Sequence, residues 1–342
     1  MKKILLYLIA FTLLATTACG NASIGTDVNP EYVKIFGEME DVSEQIEADE
    51  DVTEVREVSS PALEDTNEAS EINYKSDKTE ATIMCYNIFY QNAEARAPLI
   101  EALILEKSPD IIGVQELSLE WVSLIQDFKE AHQYSSYGYG RHGGDLSDEN
   151  LGSSEQFALI LWKTDKYELT ASGHFWASST PDVVRSTAWA DGTNTTFPRC
   201  INWVKLKDKT TGSEMIFLNL HLAPEVVNYT VRTNSSKLII EKMEEFYGNY
   251  PIVLTGDFNM KLTCTAYETI TQNGYNDMRF TAEQTDHRGS FNNWTREMDA
   301  LAFADHIFGT PDIIVESYEV IDHRVDGEHI SDHNPLFAKI FF

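Results

Sequence analysis

The chain has 342 residues, of which 24% are charged, and its formal net charge at pH 7 is −29. A domain this acidic lacks the surplus of lysine and arginine that neutralises phosphates, so the charge disfavours a long polyanion such as DNA as a partner. The length allows one large domain or two small ones. Apart from Cys19, the three cysteines are an odd and widely spaced set, which argues against a disulfide framework and a structural zinc site.

Residues 1–19 have the pattern of a secretory signal peptide. Two lysines precede the apolar run Ile4–Leu14, which is too short to span a membrane and is followed by small residues up to Cys19. Cys19 resembles the acceptor cysteine of bacterial lipoproteins, although Thr16 stands where leucine is usual. We therefore expect a secreted or extracytoplasmic protein, anchored through a lipidated Cys19 to the outer face of a bacterial membrane. Plain signal cleavage is the alternative.

Residues 20–80 are polar, acid-rich and nearly free of aromatic side chains. Positions 26–80 hold 18 acidic and 4 basic residues, and Lys2 and Lys3 are the only charges before them, which leaves −17 for 81–342. A segment of this composition cannot bury enough apolar surface to offset its ordering entropy. We predict a disordered acidic tether over 20–80, followed by a globular catalytic domain over 81–342.

The globular part alternates short apolar runs with amphipathic stretches. Strand 81–87, helix 94–107 and strand 111–116 follow closely on one another, which is typical of a crossover unit with parallel strands. The other predicted elements, in chain order, are a loop over 134–150, strands over 157–162 and 167–175, an irregular segment over 176–198, a hairpin of strands 200–207 and 214–220, a helix over 231–247, a strand after Pro251, a helix over 264–271, and strands over 302–308, 315–322 and 336–341.

Polar side chains recur where these strands end. Asp257 and Asn259 follow the buried run Ile252–Leu254, and in an extended chain the period of two places both on one side. A carboxylate and a carboxamide in this arrangement suit a hydrated divalent cation and a phosphate oxygen. The same residues are ordinary turn formers, so this stretch alone leaves a plain loop equally open. The other polar groups at strand ends or within strands are Asn87, Gln115, Glu116, Asn219, His221, Asp305, Asp332 and His333.

Taken in this order, these motifs closely resemble the endonuclease/exonuclease/phosphatase superfamily, the DNase I-like fold, which includes sphingomyelinases and inositol-polyphosphate phosphatases. The resemblance covers the whole of 81–342. It implies an α/β four-layer sandwich of two packed mixed β-sheets flanked by helices, with a cleft at one end. The matching stretches are Asn87, Val114-Gln115-Glu116, Asn219-Leu220-His221-Leu222, Gly256-Asp257-Phe258-Asn259, Asp305-His306-Ile307-Phe308 and Ser331-Asp332-His333-Asn334-Pro335.

Further motifs resemble a bacterial, secreted or lipoprotein branch of that superfamily. They are Gly140–Gly144, Gly173–Trp176 and Pro198–Trp203. Three departures from that branch bear on the substrate more than on the chemistry: Ala223 stands where aspartate is usual, the spacing from His221 to Arg232 is longer, and His306 stands where tyrosine is common. Arg141 and Arg199 within these motifs are candidate phosphate-binding residues, with ordinary ion pairs as an equally good interpretation.

The resemblance, together with side-chain chemistry, gives the metal and proton-transfer residues expected roles. Glu116, with Asn87 nearby, would hold one Mg²⁺ or Mn²⁺ that keeps most of its waters, and Asp332 is a further candidate ligand. His333 is suited to act as general base, and Asp305 would fix its tautomer and stabilise the imidazolium.

The remaining site residues are expected to act on the substrate. Asp257 and Asn259 would position the nucleophile and the phosphate, while His221 would donate a hydrogen bond to a phosphoryl oxygen. Three tryptophans could line a substrate rim, but we expect them to cover the sheet instead. They are Trp176, Trp189 and Trp294.

The sequence therefore predicts a Mg²⁺-dependent phosphoesterase that hydrolyses small or head-group phosphate esters outside the cell. A secreted Mg²⁺-dependent nuclease is one alternative, disfavoured by the charge. A catalytically silent binding module on the same fold is another, disfavoured because every expected catalytic position is retained. We predict no protein partner.

Overall fold

The computed structural model describes residues 75–224, 229–294 and 302–342. The predicted signal peptide and most of the predicted tether lie outside the described residues. The strands are β1 (Glu80–Asn87), β2 (Ile111–Ser118), β3 (Tyr134–Tyr137), β4 (Gln156–Lys163), β5 (Tyr167–Trp176), β6 (Cys200–Asp208), β7 (Glu214–His221), β8 (Ile252–Asp257), β9 (Asn276–Asp277), β10 (Gln284–Thr285), β11 (Asp305–Gly309), β12 (Ile314–Val320), β13 (Arg324–Val325), β14 (Glu328–His329) and β15 (Leu336–Phe341). The helices are α1 (Ala93–Lys107), α2 (Leu119–His132), α3 (Tyr229–Met243), α4 (Thr265–Gln272) and α5 (Met278–Thr281).

Two mixed sheets contain all of these strands except β13 and β14, which pair with each other. The first has the order β10-β12-β15-β1-β2-β4-β3 and the second the order β5-β6-β7-β8-β11-β9. β1 pairs with β2 in parallel, which confirms the crossover unit predicted around α1, and β7 pairs with β8 in parallel. Because the strands of each parallel pair run in the same direction, the polar groups that end them come together at the same edge of the sheet.

Alternation of side chains along the strands builds the layers. On β1, Ile83 and Cys85 belong to the apolar core between the two sheets. Met84 and Tyr86 point the other way and pack in a cluster with Ile100 of α1 and side chains of α2. A third cluster lies between the second sheet and helices α3 and α4. The result is helix, sheet, sheet and helix in succession, the DNase I-like sandwich that the sequence predicted.

Besides short strands and one short helix that were not predicted, the structure differs from the sequence prediction in the following elements. Helix α2 follows β2 directly and was not predicted, although Trp121, Ile125 and Phe128 are buried at helical spacing. The segment predicted as a loop over 134–150 begins with strand β3, which pairs with β4. β11 begins at Asp305 rather than at Ala302, so Asp305 is the first residue of its strand.

The cysteines described by the structure carry free thiols, in agreement with the prediction of no disulfide framework. They are Cys85, Cys200 and Cys264. Cys85 is fully buried between the sheets, where it packs as a small apolar side chain. Among the described residues, no helix is both long enough and apolar enough to cross a membrane.

A polar network crosses the core between the sheets. The Asn219 side chain on β7 donates to the carbonyl oxygens of Val114 and Leu159 in the first sheet, at 3.0 and 2.9 Å. Its Oδ1 accepts a hydrogen bond of 2.6 Å from Gln115 Nε2 and one of 3.2 Å from Thr255 Oγ1. We call Gln115, Asn219 and Thr255 the inter-sheet network. Two of the predicted strand-end polar groups, Gln115 and Asn219, therefore join the sheets instead of facing the cleft.

Candidate active site

Asp257 lies where the two sheets open at one end. It is the last residue of β8, and its neighbours in register are His221 of β7 and Asp305 of β11. Gly256 precedes it at φ 150°, and a Cβ there would lie 2.2 Å from the Leu220 carbonyl oxygen. Only glycine allows the backbones to approach this closely, so the glycine that ends the apolar run also sets the position of Asp257.

His333 and Asp305 form a buried pair. His333 Nδ1 donates to Asp305 Oδ2 at 2.7 Å, which leaves Nε2 pointing towards Asp257 Oδ2 at 3.8 Å. Desolvation acts to lower the pKa of His333, but the negative charges of Asp305, Asp257 and Asp332 outweigh it and raise the pKa well above its ordinary value. The pair has the geometry of a proton acceptor whose tautomer is fixed by a carboxylate.

Asp257 Oδ2 is the point at which side chains from both sheets converge. It accepts a hydrogen bond of 3.1 Å from Asn87 Nδ2 and lies 3.4 Å from His221 Nε2. Asp257 Oδ1 accepts from the backbone N–H of Asn259, which adopts a left-handed φ of 50°. Burial raises the pKa of Asp257 to about 7, and the negative charge of Asp305 adds to the shift. Such a carboxylate can exchange a proton near neutral pH.

Glu116 and Asp332 form an acidic pair beside this cluster. Desolvation raises the pKa of Glu116, as does the negative charge of Asp332, and desolvation also raises the pKa of Asp332. A hydrogen bond from Asn87 acts in the opposite direction on Glu116. A bound cation would relieve the repulsion between the two carboxylates, and a donor set of oxygen atoms suits Mg²⁺ or Mn²⁺. The residues present therefore fit a hard divalent cation.

A second group offers three ligand atoms within 4.8 Å of one another, from Asp257, Asp305 and His333. This group could also hold a metal ion. However, the 2.7 Å hydrogen bond between His333 and Asp305 already joins two of the three ligand atoms. The Glu116–Asp332 side has no such hydrogen bond between its carboxylates among the described residues.

Arg141 and Arg199 lie in one pocket with His221 and Glu116. Burial lowers the pKa of His221 well below its ordinary value, and the positive charges of Arg199 and Arg141 contribute. His221 is therefore a neutral imidazole near two guanidinium groups. Arg141 Nη1 donates to Gln156 Oε1 at 3.1 Å, and its guanidinium stacks over the Phe197 ring at 4.5 Å. The structure thus brings both arginines into the same cleft as the other predicted site residues.

Sequence reasoning missed residues that hold this site in place. Gln156 opens strand β4 and lines the pocket with Arg141, and the Trp176 indole N–H donates to the Arg141 carbonyl oxygen at 2.8 Å. Ser290 Oγ accepts from the backbone N–H of Asp305 at 3.0 Å. Gln156 could have been found as a polar residue at the start of an apolar strand, whereas Ser290 lies in a loop without a pattern.

Two of the tryptophans lie where the prediction placed them, packed against the protein, and the third does not. Trp176 is 2% exposed, and Trp189 packs against the cluster beneath α3 and α4. Trp294 is 40% exposed. His306, which stands where the superfamily commonly has tyrosine, is fully buried between Asp277 Oδ2 and the Met260 carbonyl oxygen and does not face the cleft.

The sandwich of two mixed sheets, with a histidine–carboxylate site at the end of the cleft, defines a class: a hydrolase with a phosphoesterase fold. Residues 84–333 match the sequence model of the Endonuclease/Exonuclease/phosphatase family, and the chain belongs to that family. The search among curated proteins found no match.

Solved structures of Bacteroides proteins are similar to this chain over most of its length. A family protein from Bacteroides thetaiotaomicron is 30% identical, with a TM-score of 0.67, and the match covers 78% of this chain and 98% of that one. One from Bacteroides vulgatus is 32% identical, with a TM-score of 0.67, over 77% and 99%. A mannosyl-6-phosphatase from Bacteroides thetaiotaomicron is 29% identical, with a TM-score of 0.65, over 77% and 100%.

Proposed function

We propose that this protein is a phosphoesterase dependent on Mg²⁺ or Mn²⁺ that hydrolyses small phosphate esters. The observation that carries the proposal is the convergence at Asp257 Oδ2, where Asn87, His221 and His333 meet beside the acidic pair. The similar mannosyl-6-phosphatase supports sugar phosphates as the substrate class.

In the proposed reaction, His333 in its neutral form takes a proton at Nε2 from the attacking water. Its Nδ1–H stays bonded to Asp305, whose negative charge stabilises the imidazolium that forms. Asp257 faces the same nitrogen and, with Asn259, positions the water and the phosphate. The neutral His221 donates a hydrogen bond to a phosphoryl oxygen, and Arg141 and Arg199 lie in the pocket to bind the phosphate.

The proposed metal residues are Glu116, Asn87 and Asp332. When bound, the cation would offset the charge that develops on the leaving oxygen. The two carboxylates contribute the negative charge that holds such an ion, and Asn87 also donates to Asp257, which couples the metal residues to the proton-transfer residues.

A panel of phosphate esters tests the proposal. Purified protein with Mg²⁺ is incubated with hexose 6-phosphates, glycerol phosphate, a choline phosphodiester and supercoiled plasmid at equal enzyme concentration and physiological salt. We expect turnover of the small esters and little nicking, because residues 81–342 carry a net charge of −17. Efficient plasmid nicking would establish the nuclease alternative, and turnover of none of the substrates would contradict the proposed function.

We further propose that the protein acts outside the cell, attached to the membrane through a lipidated Cys19. The support comes from the signal-like pattern of residues 1–19. Fractionation of cells that produce the full chain tests the attachment. We expect the protein in the membrane fraction, and the Cys19→Ala variant released from it. A full chain that stays in the cytoplasm would contradict both parts of the proposal.

A further inference from the structure

An exposed aromatic surface lies beside the Glu116–Asp332 pair. The rings of Phe89 and Trp294 meet edge to face with their centroids 5.0 Å apart, and the Tyr90 ring lies 5.0 Å from Phe89 on the other side. Trp294 is 40% exposed, and the other two side chains are half-buried. We call Phe89, Tyr90 and Trp294 the aromatic platform. None of these three side chains belongs to the apolar clusters that join the sheets and the helices. The layers of the fold therefore do not depend on this surface.

Arg96 fixes the aromatic platform from below. Its guanidinium carbon lies 5.5 Å from the centroid of the Phe89 ring and 5.8 Å from that of the Trp294 ring. The same group donates to the carbonyl oxygens of Phe89 and Gln91, at 2.8 and 2.9 Å, and to those of Ile88 and Ile330. Only 8% of Arg96 is exposed. A buried cation that contacts both rings and the Phe89 carbonyl oxygen holds the rings together.

The backbone of the aromatic platform is bonded directly to the proposed metal residues. The N–H of Phe89 donates to Asn87 Oδ1 at 3.1 Å, and the N–H of Tyr90 donates to Glu116 Oε2 at 3.2 Å. On the other side, the N–H groups of Asn292 and Asn293 donate to the Asp332 carbonyl oxygen at 2.8 and 3.0 Å. The platform therefore lies next to the site and is bonded to it.

Two members of the aromatic platform, Phe89 and Trp294, have unfavourable backbone conformations. Phe89 has a φ of 58° and Trp294 a φ of 61°. Asn293, which directly precedes Trp294, has a φ of 47°. Bulky side chains rarely adopt the left-handed region, and such strain concentrates at binding and catalytic sites. Exposure of the large Trp294 indole ring to water is a second unfavourable feature, and the fold does not explain it.

We propose that the aromatic platform binds the organic group of the substrate, and that this group is a pyranose ring. The inference rests on the proposed function. In an in-line displacement the leaving oxygen lies across the phosphorus from the attacking water. The water is placed by His333 and Asp257, so the organic group extends away from them, towards the acidic pair and the platform.

The surroundings of the rings select the class of ligand. Gln91 and Asn293 are exposed amides next to Tyr90 and Trp294 in the chain, and Gln91 Nε2 donates to the Tyr90 hydroxyl at 3.0 Å. An aromatic face flanked by amides suits a ring that has an apolar C–H face and a rim of hydroxyl groups. A pyranose ring has both properties, whereas a lipid chain would leave the amides without partners.

Steady-state kinetics with two substrates tests the inference. The ratio of kcat/KM for mannose 6-phosphate to kcat/KM for glycerol phosphate, which has no ring, is measured for the wild type and for variants. We expect Trp294→Ala to lower this ratio about tenfold and Trp294→Phe to restore most of it. Phe280→Ala is the matched control, because Phe280 is 57% exposed but lies on α5, outside the aromatic platform, and we expect an unchanged ratio.

A binding measurement separates this inference from the proposed function. Calorimetry of mannose 6-phosphate with His333→Ala, with and without Trp294→Ala, reports binding without turnover. Weaker binding on loss of the indole supports the aromatic platform even if the wild type hydrolyses neither ester, an outcome that would refute only the proposed function. Hydrolysis of both esters with a ratio that ignores Trp294 would refute only the platform. If the wild type hydrolyses neither ester and binding does not depend on Trp294, both the proposed function and the aromatic platform are refuted.

Discussion

The inter-sheet network and the candidate active site lie on the same strands, and their residues are near neighbours in the chain. Gln115 precedes Glu116 on β2, and Asn219 is two residues before His221 on β7. In the network, neutral amide and hydroxyl groups meet donor to acceptor at distances between 2.6 and 3.2 Å. In the active site, carboxylates and imidazoles share the space instead.

The two regions differ in how completely their buried polar groups are hydrogen-bonded. Asp305 Oδ1 is buried and accepts no hydrogen bond from the described residues, and the pKa of Asp257 is raised to about 7. Buried polar groups that are neutral and fully bonded stabilise a fold and fix its register. Buried charges that remain under-satisfied cost stability, and they persist where a ligand or a reaction uses them. The distinction between the two regions can be tested with reagents and variants that act on only one of them.

Metal removal should act on the active site alone and have the largest effect. We expect EDTA to reduce hydrolysis to background, because the acidic pair would then lack the cation that offsets the charge of the leaving oxygen. Addition of Mg²⁺ or Mn²⁺ should restore the rate, since the proposed donors are oxygen atoms. Full activity in EDTA, or recovery with Zn²⁺ alone, would contradict the assigned site.

His333→Ala should lower kcat by about a thousandfold, within the range that general-base catalysis supplies. The substitution removes the proton acceptor but leaves the inter-sheet network intact, so circular dichroism and the melting temperature should show a folded protein. A rate near that of the wild type would exclude His333 as the base.

Asp305→Asn should have a smaller effect, about a hundredfold on kcat, because the imidazole remains but loses the charge that stabilises its protonated form. The amide keeps the size of the carboxyl group and can still contact His333 Nδ1, now 2.7 Å from Asp305 Oδ2. Asp286→Asn is a suitable control, since Asp286 is a carboxylate bonded to Arg288 and not to the site. A larger loss of kcat for Asp305→Asn than for His333→Ala would contradict the assignment of His333 as the base and Asp305 as the carboxylate that supports it.

The sequence predicted the sandwich through the resemblance of its strand-end motifs to a known superfamily, while local periodicity indicated the individual strands and helices. It also predicted which residues would meet: Asp257, His333 and Glu116 follow from motif order, and the structure places them together, while their roles stay predictions. It could not tell that Gln115 turns inward and Glu116 outward. At this point β2 shifts its register against β4, between Val114 and Leu117, and Glu116 has a left-handed φ of 60°.

The aromatic platform was beyond sequence reasoning for a related cause. Its rings come from positions 89, 90 and 294, and they meet over Arg96 only after the chain has folded. Left-handed conformations at Phe89 and Trp294 have no sequence signature, since glycine and asparagine are the residues usually found there. The expectation that all three tryptophans cover the sheet was therefore wrong for Trp294, which is 40% exposed.

The smallest effect on catalysis should come from Asn219→Ala, which acts on the inter-sheet network. The substitution removes two hydrogen bonds to carbonyl oxygens and leaves Gln115 Nε2 without its 2.6 Å acceptor. Unsatisfied buried groups of this kind cost roughly 1–3 kcal/mol each in mutational series, and partial relaxation makes about 3 kcal/mol a reasonable total. Gly113 cannot be altered to compensate, because a Cβ there would lie 2.5 Å from Thr255 Oγ1, which the substitution leaves in place.

Urea denaturation and kcat, measured on the same preparations, test this contrast. We expect Asn219→Ala to lower the free energy of unfolding by about 3 kcal/mol and to leave kcat within about threefold of the wild type, because no site residue loses a hydrogen bond. Asn249→Ala is the control, since Asn249 is exposed and donates only within its own turn to the Glu245 carbonyl oxygen. If Asn219→Ala lowered kcat as strongly as Asp305→Asn while the protein stayed folded, the two regions would be one functional unit. Complete hydrogen bonding would then not distinguish the residues that stabilise this fold from those that act in catalysis.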